Sequence, residues 1–240
     1  MTTAIRDEIL LPSRRPVAPL WHTAVLVAFF LALTAAGALF SRASSAPSPA
    51  SAARPNVAPL YLSLIAGEWG LFFYVARAGL RRTGTRPRDL IGGVWRSRME
   101  VLRDVGLGLA LWGVWTLAGW ASSRWLGHDH PSSVRQLLPR GGLEAMLWIA
   151  LSTSAGICEE FVFRGYFLRQ FEALTGSRWV ALIAQAVLFG ISHGYQGVTA
   201  CAHIAAYGML FGVFAIWRGS LRPGMIAHAW TDVAAGLLGI

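Results

Sequence analysis

The sequence predicts an all-α protein: a polytopic transmembrane helical bundle of about seven spans, with a polar intramembrane cavity formed by the last four. Three observations predict it. The 240 residues are 55% hydrophobic and only 14% charged, with a mean hydropathy of +0.49, too apolar for an ordinary soluble domain. Apolar stretches near the roughly 20 residues needed to cross hydrocarbon recur along the whole chain. Ionisable side chains also sit inside the last of these stretches, where each costs roughly 2.5–3.5 kcal/mol on insertion scales and therefore faces an interior cavity rather than lipid.

Taken in order, the apolar stretches are Trp21–Phe40, Val57–Ala76, Val101–Ala121, Leu143–Phe163, Trp179–Tyr195, Val198–Trp217 and Met225–Ile240. The first is longer than the 7–15 apolar residues of a signal peptide, so it reads as a span. A Ser/Ala/Pro-rich stretch from Ser41 to Pro55 follows it and reads as a flexible outer loop. Organisation is then threefold: a cytoplasmic tail over residues 1–20, N-terminal membrane helices over 21–138, and a chemistry-bearing membrane segment over 139–240.

All 21 basic residues are arginine, and the pI near 10.9 would suit a nucleic-acid partner if hydropathy were ignored. Position argues otherwise. Eight arginines fall between Arg77 and Arg103, in the loop after the second span, which marks that loop as cytoplasmic by the positive-inside rule and places the N-terminus on the same side. Arg6, Arg14 and Arg15 agree. The expected location is therefore an integral one, in a bacterial inner membrane, with the basic face against anionic lipid and no nucleic acid as partner. Cys158 and Cys201 lie within apolar stretches and form no disulfide framework.

Three short runs carry the chemistry. In CEEFVFRGYF, Glu160 and Arg164 are four apart, on one helical face, and suit a charge-assisted pair. Glu159 points about 100° away, with no basic residue beside it, and is left for general-base work. The bland alternative is a Glu–Arg pair at the end of a span with a solvated neighbour. In LFGISHGYQG, Phe189 and His193 share a face, and Gly190 and Gly194 admit a close helix or a substrate backbone; alone, His193 reads equally as a satisfied buried histidine. In PGMIAHAWTD, His228 and Asp232 are four apart, so the carboxylate can fix the imidazole tautomer or merely brace the helix, and Pro223 and Gly224 mark a helix start or break.

Taken together, Glu159-Glu160-x-x-x-Arg164, Phe189-x-x-x-His193 and His228-x-x-x-Asp232, in that order, resemble the membrane-embedded CAAX-protease and bacteriocin-processing family, which includes prenyl-protein endopeptidases of the Ras-converting type. The resemblance covers roughly residues 140–235. It implies an intramembrane endopeptidase acting on a membrane-associated protein or peptide, in which Glu159 activates a water, His193 assists, Arg164 pairs with Glu160, and His228 and residue 232 sit across the cavity. The family pattern admits Asn or Asp at that last position; Asp232 donates a hydrogen bond to an oxyanion only when protonated, so it suits equally the orientation of His228 or a metal. Glu159, His193 and His228 also make a chemically sensible zinc set, although no His-Glu-x-x-His helix is present; the favoured expectation is a glutamate-activated water without metal.

Two readings from other classes stand beside this one. A non-catalytic membrane regulator or bacteriocin-immunity protein would use the same fold to bind a partner, and a proton-coupled transporter would use Glu and His as a relay, though no internal symmetry supports it. Cys158 as a thiol nucleophile lacks a histidine on its helix face. Glu68 and His203 also fall within apolar stretches: Glu68 pairs with another helix or lines the cavity, and His203 reads as a core or helix-contact residue. In a simple alternating topology His193 lies about 20 Å deep from the cytoplasmic side while His228 lies near it, so convergence requires tilted, offset or broken helices around a water-filled cavity.

Overall fold

Apolar helices can hide their backbone polar groups only by bonding them internally, and that constraint shapes the whole chain. The computed structural model describes residues 15–44, 56–126 and 137–238; residues 1–14, 127–136 and 239–240, and most of the Ser/Ala/Pro-rich stretch expected as an outer loop (45–55), lie outside the described residues. The order is α1 (Leu20–Ser44), α2 (Ala58–Tyr74) extended by helical turns through Thr83, the short α3 (Pro87–Ile91), α4 (Arg98–Leu126), α5 (Gly142–Glu159) continuing through a wide helical segment Glu160–Phe167 into α6 (Leu168–Thr175), α7 (Arg178–Ile191), α8 (Val198–Arg218) and α9 (Arg222–Leu238). Among the described residues five helical stretches are long and apolar enough to cross a membrane, those of α1, α2, α4, α5–α6 and α8. The protein is an integral membrane helical bundle. Among the described residues α7, of 14 residues, is a shorter apolar helix that reaches only about 21 Å, and α9, of 17 residues, reaches about 26 Å, so five full-length candidate spans stand where about seven were expected.

Four of the expected boundaries shift, each for a local reason. The stretch expected to end at Phe163 continues as one helical rod, Gly142–Thr175, because Arg164 is fully buried against Glu160 and so does not mark the edge of water. The second helix likewise runs past Ala76 to Thr83, where Gly84 at φ 75° ends it. The fifth stretch stops at Ile191 rather than Tyr195: the Ser192 hydroxyl donates to the Phe189 carbonyl at 2.7 Å, and His193 leaves helical geometry. The last helix begins at Arg222, with Pro223 in its first turn, where a missing N–H costs nothing.

Small residues set how closely the helices approach. A Cβ on Gly156 would fall 2.7 Å from the Ala229 amide nitrogen, so α5 and α9 pack backbone to backbone. On α8, Gly208 and Gly212 lie against Ala186 and Leu182 of α7, the close packing their spacing suggested. Gly190 and Gly194, beside His193, instead admit α8 at Cys201 and α1 at Thr34. The core unites both halves of the chain: Phe30 of α1 meets Phe163 and Phe167, and Phe72 of α2 meets Phe161 at 4.3 Å between ring centroids. A buried polar knot joins the same halves, with the Tyr166 hydroxyl 2.9 Å from both His22 and Thr23, and Gln170 donating to the Ala18 carbonyl.

The arginine-rich connection is anchored rather than loose. Arg169 of α6 donates to the carbonyls of Asp89 and Leu90, and the Leu221 amide donates to the Ile91 carbonyl. Arg86 pairs with Asp89 across one turn and holds that carboxyl below the usual carboxylate range, a surface interaction of small energetic weight. Asp104 of α4 is the true tie: fully buried, it faces Arg218 at 2.7 Å, Arg222 at 3.1 Å and Arg103 at 3.7 Å, and accepts from the Trp95 indole at 2.9 Å. This binds the α8–α9 junction, hence the start of the helix that carries His228, to the N-terminal half. Asp104→Ala leaves Arg218 and Arg222 without their counter-ion and is expected to destabilise the folded protein by about 3 kcal/mol; denaturant unfolding in detergent of the variant against the intact protein measures it.

Candidate active site

The site forms where a widened helix turn meets the start of α9. From Glu160 to Phe167 the helix opens to five-residue hydrogen bonding, the Leu168 amide bonding the Phe163 carbonyl, and all eight residues of that segment are buried. Wide turns of this kind recur at functional sites. Within it Arg164 Nη1 lies 3.2 Å from Glu160 Oε1, both side chains being about fully buried. The guanidinium carbon stands 4.2 Å from the centre of the Phe189 ring and 5.8 Å from those of Tyr207 and Phe211. Cation–π attraction thus replaces part of the hydration that the guanidinium loses.

The same Glu160 oxygen lies 3.0 Å from His228 Nδ1. On the other edge of this imidazole, Nε2 stands 3.6 Å from Glu159 Oε2 and 3.7 Å from Asp232 Oδ2. Adjacent glutamates, which the helix sends in different directions, therefore straddle one histidine. This revises the expectation that Glu159 has no basic neighbour: His228 arrives from a helix that sequence spacing cannot place. Gly224 makes room, since a Cβ there would lie 3.2 Å from Glu160 Oε2. Phe189, Tyr207 and Phe211 surround His228 with ring centroids 5.2–6.2 Å away. The backbone carbonyl of Asp232 is fixed by the Trp148 indole of α5 at 2.9 Å.

His193 stands apart. Its Nδ1 lies 2.9 Å from the Phe189 carbonyl, which leaves Nε2 free, and its ring packs on Phe189 at 5.0 Å. Among the described residues no hydrogen bond or ion pair joins it to Glu159, Glu160, His228 or Asp232; the Phe189 ring touches both imidazoles. The zinc set Glu159, His193 and His228 offers suitable donors but is not gathered: among the described residues no three His, Cys, Asp or Glu groups cluster closely enough to share an ion. Cys158 is fully buried, and His203 bonds the Thr199 carbonyl of its own helix, away from this cluster.

Two contributors escape motif reading. Asp104 holds the helix of His228, and the only hint was an aspartate near the start of an apolar stretch. The aromatic box draws Tyr207 and Phe211 from a helix with no charged residue near them, where the sequence gives no signal.

Residues 141–234 match the family model for type II CAAX prenyl endopeptidase, Rce1-like. Over this segment the chain is similar to the CAAX-protease family. The matched region spans all six residues singled out above, and it is a protease family, in keeping with the three ordered motifs. No curated protein and no solved structure matches the chain.

The Glu160–Arg164 pair yields a stability test. Arg164→Met strands a buried carboxylate and is expected to cost about 3–5 kcal/mol, whereas adding Glu160→Gln to it recovers most of that loss, because a neutral pair needs no counter-ion. A double-mutant cycle of unfolding free energies in detergent measures both.

Proposed function

We propose that this chain is an intramembrane endopeptidase that hydrolyses a peptide bond near the membrane, in a protein or peptide precursor held there, using a water activated by Glu159. One observation carries the reading: the two neighbouring glutamates divide their work. Glu160 is 1% exposed and committed to Arg164 and His228, while Glu159 is 16% exposed and faces the free edge of the same imidazole. A buried, doubly paired carboxylate is structural; a reachable one beside a histidine is placed for proton transfer.

The reaction follows from these positions. Glu160 accepts from His228 Nδ1–H, which fixes the tautomer and presents Nε2 towards Glu159. A water beside Glu159 gives it a proton as its oxygen bonds to the scissile carbonyl carbon, and the carbonyl π electrons move onto oxygen. His193, with Nδ1 tied to the Phe189 carbonyl, offers Nε2 to assist. When the tetrahedral intermediate collapses, the C–N bond breaks and the proton on Glu159 passes to the departing nitrogen, leaving a carboxylic acid and an amine, and transfer of the acid's proton to the amine gives carboxylate and ammonium. Asp232 supports His228 from the side of Nε2 and takes the orienting role.

The location that suits this function is a bacterial inner membrane with the N-terminus and the arginine-rich connection on the cytoplasmic side, against anionic headgroups. The substrate class is a membrane-associated protein or peptide; the matched family's prenylated proteins are one such class.

In cells expressing the intact protein or Glu159→Gln at equal membrane levels, a proteome-wide comparison of chain termini is expected to show a precursor accumulating in the variant, with processing slowed by about 10²–10⁴-fold. Processing in purified membranes is expected to persist after exhaustive chelation. Unchanged termini with an unchanged phenotype would instead mark the chain as a non-catalytic binding protein, and loss on chelation with recovery on adding zinc would make the reaction metal-dependent.

A further inference from the structure

Among the described residues no hydrogen bond or ion pair ties His193 to Glu159 or His228, so their separation is set by packing. One stripe of α1 reaches both sides of that gap. Phe30, Thr34 and Gly37, spaced by four and three, share a helix face, and Phe30 packs on Phe163 and Phe167 of the widened turn that follows Glu159. One turn on, the Thr34 hydroxyl stands 2.7 Å from the carbonyl of Ile191, the last residue of α7, and 2.8 Å from the Phe30 carbonyl of its own helix. Its single proton is shared between them. Further along, a Cβ on Gly37 would fall 3.1 Å from Cβ of Tyr195, and one on Gly194 would fall 2.9 Å from Cγ2 of Thr34, so the segment after α7 lies directly against α1. The whole stripe is outside residues 141–234, the segment that the family model matches.

We propose that Thr34 is a positioning residue for His193: its hydroxyl holds the carbonyl at which α7 ends and, with Gly37, seats the turn that carries the imidazole at a fixed distance from Glu159. The inference rests on the protease reading, in which His193 assists the water that Glu159 activates. Beyond Ile191 the helix stops, because the Ser192 hydroxyl and His193 Nδ1 both turn back to the Phe189 carbonyl. The turn that follows is short, its backbone bonds running from the Gln196 amide to the His193 carbonyl and from the Gly197 amide to that of Gly194. Helix α1 adds a restraint from outside. Thr34 fixes where the turn begins, Gly37 fixes how near Tyr195 comes, and Phe30 fixes α1 to the turn that bears Glu160 and Arg164. Thr34 acts through His193 and touches no reacting atom.

The first test needs no substrate. Amide hydrogen exchange of the full chain in nanodiscs, read by mass spectrometry over residues 192–197, is expected to quicken by about tenfold in Thr34→Val, which keeps the shape and loses the donor. Thr34→Ser, which keeps the donor, is expected to exchange as the intact protein does. Exchange of that segment unchanged in Thr34→Val, or quickened equally throughout α1 and α7, overturns the restraint. The second test follows the precursor whose processing depends on Glu159. Thr34→Val is expected to lower the turnover rate by about 10–100-fold with KM little changed, as displacement of an assisting group does, while Thr34→Ser retains most of the rate. In a His193→Ala background the same Thr34→Val change is expected to cost about twofold at most, because the group it positions is gone. A loss of equal size in both backgrounds, or an intact rate in Thr34→Val or in His193→Ala, overturns the positioning role. Full processing by Glu159→Gln overturns the protease reading instead and leaves the exchange result to stand by itself.

Discussion

The arrangement depends on one buried charge pair. An arginine cannot lie at the centre of an apolar bundle unless something replaces water around it, and Arg164 has both a carboxylate at 3.2 Å and an aromatic face at 4.2 Å. Once Arg164 is neutralised, the helix that carries it can run 34 residues without ending at the charge. Glu160, held in place by Arg164, has a second lone pair to give, and it gives it to His228. The ion pair is thus less a source of net stability than a device that fixes geometry, consistent with the general weakness of buried pairs as stabilisers. Its removal strands a partner; its presence sets the imidazole.

Around that pair, the two halves of the chain divide the labour. The C-terminal helices supply the motif side chains, and the N-terminal helices supply the walls: Phe30 and Phe72 pack on the widened turn, and His22, Thr23 and Ala18 tie its far end through Tyr166 and Gln170. Asp104 works at the opposite end, holding the start of α9 by two arginines. His228 lies less than two turns beyond that anchor, so its position relative to Glu160 is set from outside the matched segment. Function placed on rigid, packed helices in this way keeps its geometry better than function placed on loops.

How much of this was legible depended on the kind of interaction. Hydropathy gave the helices because lipid leaves the backbone no other choice, and spacing of four gave Glu160–Arg164 because the helix itself makes that contact. Spacing failed where a helix departs from its ideal form. The break after Ile191 arises from side-chain bonds by Ser192 and His193 to the Phe189 carbonyl, a competition that periodicity does not register. It failed again where partners come from different helices, as with Asp104 and its arginines or Glu160 and His228.

By itself, then, the sequence determined that this is a membrane-spanning helical bundle, which side chains are costly enough to require a role, and that three ordered motifs belong together. The physical reason is local: transfer of each residue into hydrocarbon, and contacts one helical turn apart, are properties of the chain alone. Only the tertiary structure decided that His228 bonds Glu160 through Nδ1 and turns Nε2 towards Glu159, and that His193 packs on Phe189 apart from that pair. Those outcomes turn on helix crossings set by Gly156, Gly208 and Gly224, where a single added Cβ would collide with the facing helix.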